Sequence, residues 1–268
     1  MNVWLSTLGA VGVVSLVSLI GIVTSLAALR RHGVLIALVA VAAGSMLGDG
    51  LLHLLPEAAE VSGGFTVHVS LLVAAGFLLF FLLEGFLRSH AHAEEAGDDA
   101  HEAHGHGPSH AHHDMPVGKV ATFGWMNLAG DAVHNFIDGI VIAAAFRADS
   151  GLGIATTLAV VMHEVPQELG DFAVLLRSGM KVRQALVLNF LTALTAVFGA
   201  VLFLALPFDP VHLNRIALPI TAGGFLYIAA ADLVPELHHH TGDRRKLALI
   251  FSMLVLGILV MVALLRLE

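Results

Sequence analysis

The 268-residue chain is 57% hydrophobic and 13% charged, about half the charged share of an ordinary soluble domain, and this excludes a water-facing globule. Zero cysteines exclude disulfides, thiolate metal sites and cysteine nucleophiles, and a net charge of −8 argues against nucleic acid as a partner. No GxxxxGK[ST] run is present, so the chain carries no P-loop ATPase, while histidine stands out at 17 residues against 13 Lys plus Arg.

A helix that crosses the hydrocarbon needs about 20 mainly apolar residues. Eight stretches qualify: 3–29, 34–57, 66–87, 119–146, 151–176, 184–206, 213–237 and 246–266. The expected fold class is therefore all-α integral membrane, a single transmembrane domain over 1–268. The first stretch has no Lys or Arg before Arg30 and outruns a signal-peptide core, so it is read as a span. Span 2 ends in His53-Leu54-Leu55-Pro56-Glu57, with Asp49 one turn earlier, and Glu84 sits near the end of span 3, where it is expected to snorkel.

Between spans 3 and 4 the residues 89–118 turn polar and low in complexity, which predicts a disordered loop. Its histidines include His101, His104, His106, His110, His112 and His113, a composition that binds metal. A solvated loop that meets metal incidentally and a sensing or delivery role both stay open.

Span 4 carries Asp131-Ala132-Val133-His134-Asn135-Phe136-Ile137-Asp138-Gly139, and span 5 carries His163-Glu164-Val165-Pro166-Gln167-Glu168-Leu169-Gly170-Asp171. Helical spacing puts Asp131, His134 and Asp138 on one face with Asn135 beside them. The same spacing pairs His163 with Gln167 and aligns Glu164, Glu168 and Asp171. Both histidines fall near mid-span, so the two faces can meet. Pro166 cannot donate to the carbonyl of Met162 and opens the backbone beside His163. In span 6, Asn189 and Thr195 are either third-helix ligands or packing contacts. Span 7 ends in Asp232-Leu233-Val234-Pro235-Glu236, and Glu57 and Glu236 are read as solvated helix ends.

Ten of the 13 basic residues, from Arg30 and Arg31 to Arg244, Arg245 and Lys246, follow spans 1, 3, 5 and 7. Those loops are therefore predicted cytoplasmic and both termini extracytoplasmic. The proline motifs of spans 2 and 7 then face opposite sides, which predicts inverted three-helix repeats, spans 1–3 and 6–8, around spans 4 and 5 in a 3+2+3 arrangement.

Acids at a helix centre cost about 2.5–3.5 kcal/mol each on insertion scales and must be paired or line a wet cavity. No span holds a central Lys or Arg, so protons or a bound cation remain. Imidazole with carboxylate suits zinc and other borderline first-row ions. The residues predict a divalent metal transporter that needs no prosthetic group, with a midplane site where the Asp131, His134 and Asp138 face of span 4 meets the His163 and Gln167 face of span 5. Asp49, His53, Asp131, Glu168, Asp171, Asn189 and Asp232 are candidates along the route. A membrane metal sensor stays an alternative. An intramembrane zinc protease is less well served, because its HExxH motif meets Gln167 at the second histidine.

The paired motifs of spans 4 and 5 resemble the signature of the ZIP (Zrt/Irt-like) metal transporters, in the subgroup whose fifth helix reads HExPHELGDF. The resemblance covers essentially the whole chain. It implies import of Zn²⁺, and in some members Fe²⁺ or Mn²⁺, toward the cytoplasm, and the 3+2+3 arrangement with inverted outer units. It also implies a first metal position at His134, Asp138 and Gln167 and a second at Asn135, His163 and Glu164, with Asp138 as a candidate bridge. Asp232 matches an acid of the exit route. Gln167 stands where the subgroup has His, which implies weaker zinc selectivity and wider tolerance of Fe²⁺, Mn²⁺ or Cd²⁺. The large extracellular N-terminal domain of many members has no counterpart in this sequence, so regulation through it is expected to be lacking. Expected partners are divalent metal ions and the lipid bilayer, in a plasma or bacterial inner membrane; an organellar membrane and a homodimer stay open.

Overall fold

The computed structural model describes residues 2–20, 32–98, 120–206 and 209–265. Among them lie eight helical stretches: α1 (Val3–Val17), α2 (Gly33–Val61), α3 (Val67–Asp98), α4 (Thr122–Ala148), α5 (Ser150–Arg177), α6 (Val182–Ala205), α7 (Val211–His238) and α8 (Arg244–Leu264). Six of them, α2, α3, α4, α6, α7 and α8, contain stretches long and apolar enough to cross a membrane. The described part of α1 is short, and α5 carries Glu164, Glu168 and Asp171 within about two turns.

Helix α3 continues to Asp98, through the first ten residues of the segment expected to be a loop. Ala and Glu dominate that extension, and both are strong helix formers. The loop histidines His101, His104, His106, His110, His112 and His113 lie outside the described residues. Glu84 does not snorkel. It is buried and accepts a hydrogen bond from the Tyr227 hydroxyl of α7, because α3 packs its length on α7 rather than facing the interface there.

Helices α4 and α5 lie at the centre. Helix α4 packs on α6, α5 on α2, and two further pairs, α2 with α8 and α3 with α7, build the flank. Glycine sets three of these contacts. A Cβ at Gly44 would stand 2.0 Å from the Leu254 carbonyl oxygen, and one at Gly257 2.2 Å from that of Val41. On the other pair, a Cβ at Gly76 would meet the Ile220 oxygen at 2.0 Å and one at Gly223 the Val73 oxygen at 2.1 Å. Gly139 and Gly199 play the same part between α4 and α6, with Ala196 and Phe136 as partners. Lipid supplies little hydrophobic drive between helices, so close backbone approach at small residues supplies the packing.

Two features recur in α2 and α7. Each contains a six-residue π-helical turn, Asp49–Leu54 and Ile228–Leu233, and each turn runs into a proline two residues on, Pro56 and Pro235. The missing proline N–H relaxes the backbone ladder at both places. The glycine contacts correspond in the same register: Val41 with Ile220, Gly44 with Gly223, Val73 with Leu254 and Gly76 with Gly257.

Replacing Gly44 by Leu should force α2 and α8 apart and lower the thermal midpoint, with about 1–3 kcal/mol or more lost to overpacking. Gly9→Ala, where a Cβ meets nothing within 4 Å, should shift it little. Heating followed by size-exclusion chromatography in detergent compares the two.

Candidate metal centre

Helix α4 packs along α5, and the polar stripe of each turns inward to the other. The result is a cluster of His134 and Asp138 from α4 with His163 and Glu164 from α5, all buried, their ligand atoms within 4.8 Å of one another. His134 Nε2 lies 3.4 Å from Asp138 Oδ2 and 3.5 Å from Glu164 Oε1. His163 Nε2 lies 3.6 Å and 3.9 Å from the same two oxygens. The two rings stand edge-to-face with centroids 5.5 Å apart. Tetrahedral zinc with bonds near 2.0–2.1 Å separates its donors by about 3.3 Å, so these distances suit one small ion. Neither ring nitrogen of His134, nor Asp138 Oδ2, nor Glu164 Oε1, makes a hydrogen bond among the described residues. Buried polar atoms are ordinarily satisfied, and a cation would satisfy all of them together.

Helix α2 supplies the next layer. Asp49, on the π-helical turn, is 3.0 Å by Oδ1 from His53 Nδ1 and 4.0 Å by Oδ2 from His134 Nδ1. The His53 ring lies 5.5 Å from that of His163, and His53 Nε2 lies 3.7 Å from Glu57 Oε2. A cavity of about 1070 Å³ runs from Asp138 and His163 past His53 to Glu57 and Glu60. At the other end of the bundle, Arg177 of α5 joins Glu236 of α7 at 2.5 Å and meets His240 Nε2 at 2.5 Å. Glu236, expected to be solvated, is thus paired, because α5 ends beside the last turn of α7.

The remaining sequence candidates separate from the cluster. Asn135 donates to Asp131 Oδ1 at 2.8 Å and to the Asp131 carbonyl at 3.2 Å. Asp131 also accepts from the Thr192 hydroxyl. Glu168 accepts from Asn189, and Asp171 accepts from Asn127 at 3.1 Å. Thr195 donates to the Ala132 carbonyl at 2.7 Å, so the polar residues of α6 bond to α4 and α5. Gln167 is buried, and its amide nitrogen has no hydrogen-bond partner among the described residues. Asp232 is buried on the π-helical turn of α7.

Sequence reasoning missed three contributors. Asn127 is four residues before Asp131 and Thr192 three after Asn189, a spacing that was available as a signal. Phe225 of α7 packs its ring 5.2 Å from that of His134, and an apolar residue in an apolar span gives no such signal.

A sequence model of the ZIP zinc transporter family matches residues 1–265 of the chain. The chain is similar to "Zinc transporter ZIP10" of Homo sapiens, 42% identical over 160 residues, 60% of this chain and 19% of that protein. It is also similar to "Zinc transporter SLC39A7" of Rattus norvegicus, 32% identical over 313 aligned residues, 89% of this chain and 66% of that protein. With "Zinc transporter zipt-7.1" of Caenorhabditis briggsae the identity is 33%, over 94% of this chain and 74% of that protein. The chain thus spans about a fifth of the first relative and about two thirds of the second.

Asn189→Leu should leave the Glu168 carboxylate without its amide donor and cost about 1–3 kcal/mol of stability. Zinc affinity of the protein that stays folded should change little, because Asn189 bonds outside the four-residue cluster. Thermal unfolding and a competitive chelator titration read the two effects separately.

Proposed function

The chain belongs to the ZIP zinc transporter family, and on that premise we propose that it carries divalent metal ions, zinc foremost, across a membrane through the cluster on α4 and α5. The observation that carries this reading is the meeting of His134, Asp138, His163 and Glu164 in a buried space, at donor spacings that suit zinc. The relatives whose printed names are zinc transporters give the reading its cargo.

Orientation follows the basic loops: both termini lie outside, and residues 89–118 on the cytoplasmic side. Inverted repeats of the outer helices in a 3+2+3 arrangement are supported by the matched π-helical turns and the glycine contacts of α2 with α8 and α3 with α7. In this orientation the cavity past Glu57 and His53 opens outward, and the Arg177–Glu236 pair closes the cytoplasmic end. A metal ion arrives by Glu57 and His53, exchanges its water for the two imidazoles and two carboxylates, and leaves by Asp232 when the cytoplasmic end parts. Asn135, held by Asp131, and Gln167, one turn from His163, complete the ligand set when a second ion is present.

Gln167 offers an amide in place of an imidazole, and a harder donor tolerates a wider range of divalent ions. A membrane metal sensor would use the same cluster without moving the ion, and flux separates the two.

In proteoliposomes, His134→Ala and Glu164→Ala should each reduce ⁶⁵Zn uptake to the level of empty vesicles while the protein inserts normally. Near-normal flux in both would overturn the assignment. Gln167→His should shift competition among Zn²⁺, Fe²⁺, Mn²⁺ and Cd²⁺ toward zinc, and unchanged preference would remove Gln167 as a determinant of selectivity.

A further inference from the structure

Asp49 occupies an unusual position among the buried acids. It is 1% exposed and begins the π-helical turn of α2, and its two oxygens face Nδ1 of two different histidines. Oδ1 is bonded to His53 Nδ1 at 3.0 Å. Oδ2 faces His134 Nδ1 at 4.0 Å, an electrostatic contact wider than a hydrogen bond, and among the described residues neither of these two atoms has a hydrogen-bond partner. In both rings the other nitrogen points along the metal route. His134 Nε2 faces Asp138 and Glu164, and His53 Nε2 faces Glu57, which lines the cavity.

A neutral imidazole carries one proton, and the acceptor on one nitrogen decides where it sits. A carboxylate at Nδ1 keeps the proton there and leaves the Nε2 lone pair for a metal. We propose that Asp49 is a positioning residue that holds His53 in its Nδ1–H tautomer, so that an ion arriving along the cavity meets an unprotonated Nε2 before it reaches the cluster. This assignment rests on the reading of the cluster as a metal site, and it takes Asp49 itself out of the ligand set. At His134 the carboxylates of Asp138 and Glu164 stand nearer to Nε2 than Asp49 stands to Nδ1, so Asp49 acts through His53 alone. The π-helical turn, with its extra residue, offsets the faces that α2 presents on either side of Asp49.

The test uses the full chain in lipid nanodiscs, metal-free, labelled with ¹⁵N-histidine, with His53 and His134 assigned by loss of signal in His53→Gln and His134→Gln. The His53 ring should show the Nδ1–H tautomer. In Asp49→Asn the amide can donate to Nδ1, so the Nε2–H form should appear at His53, and zinc affinity by chelator competition should fall roughly 10- to 100-fold. Asp49→Glu should restore part of both. Wild-type tautomers and affinity in Asp49→Asn would overturn the proposal. So would a loss of affinity with unchanged metal-free tautomers, which would make Asp49 a ligand. If the wild-type protein binds no zinc although the His53 ring is in the Nδ1–H form, the metal-site reading fails instead, and the ligand role drawn from it fails too.

Discussion

Carboxylates placed deep in an apolar bundle without a fixed cation at their own depth are the constraint from which the remaining organisation follows. Asp49, Asp131, Asp138, Glu164, Glu168 and Asp171 are all buried, and each would be costly if left charged and alone. The structure answers this in two ways. Asp131, Glu168 and Asp171 receive donors from Asn135, Thr192, Asn189 and Asn127. Asp138 and Glu164 receive none of these and face imidazoles instead. The amide-bonded acids therefore tie α4, α5 and α6 together, and the imidazole-facing pair forms the space for a cation.

Holding such a space requires neighbours that approach closely. The paired glycine contacts of α2 with α8, α3 with α7 and α4 with α6 bring backbones together where a single added Cβ would strike a carbonyl oxygen. Rigid pairs of this kind can carry deviations elsewhere. Those deviations concentrate in α2 and α7, where the π-helical turns precede Pro56 and Pro235, and in α5, where Pro166 sits inside the helix. Asp49 and Asp232 lie on these turns, so irregular backbone coincides with polar function.

Much of this was legible in the sequence because membrane helices announce themselves by length and apolarity, and because i, i+4 spacing fixes which side chains share a face. That was enough to set His134 with Asp138 and to expect the two faces to meet; it paired His163 with Gln167, whereas the cluster joins His163 with the adjacent Glu164. Helix α5 was legible as a helix despite its acids because its flanks are apolar. The sequence could not separate metal-facing acids from hydrogen-bonded ones: Asn135 is adjacent to His134, yet its amide turns to Asp131. Glu84 looked like an interfacial residue because the partner that buries it, Tyr227, is 143 positions away in the chain. The π-helical turns were invisible, since one extra residue per turn leaves no mark on the order of residues, even where Asp49, His53 and Asp232 lie on the turn.

Zinc K-edge X-ray absorption on the metal-loaded, full-length protein in lipid tests the central claim most directly. The account predicts a four-coordinate shell of mixed nitrogen and oxygen at about 2.0–2.1 Å, with outer scattering from two imidazole rings that is halved in His163→Ala. A six-coordinate shell of oxygen alone, or imidazole scattering unchanged by that substitution, would contradict it.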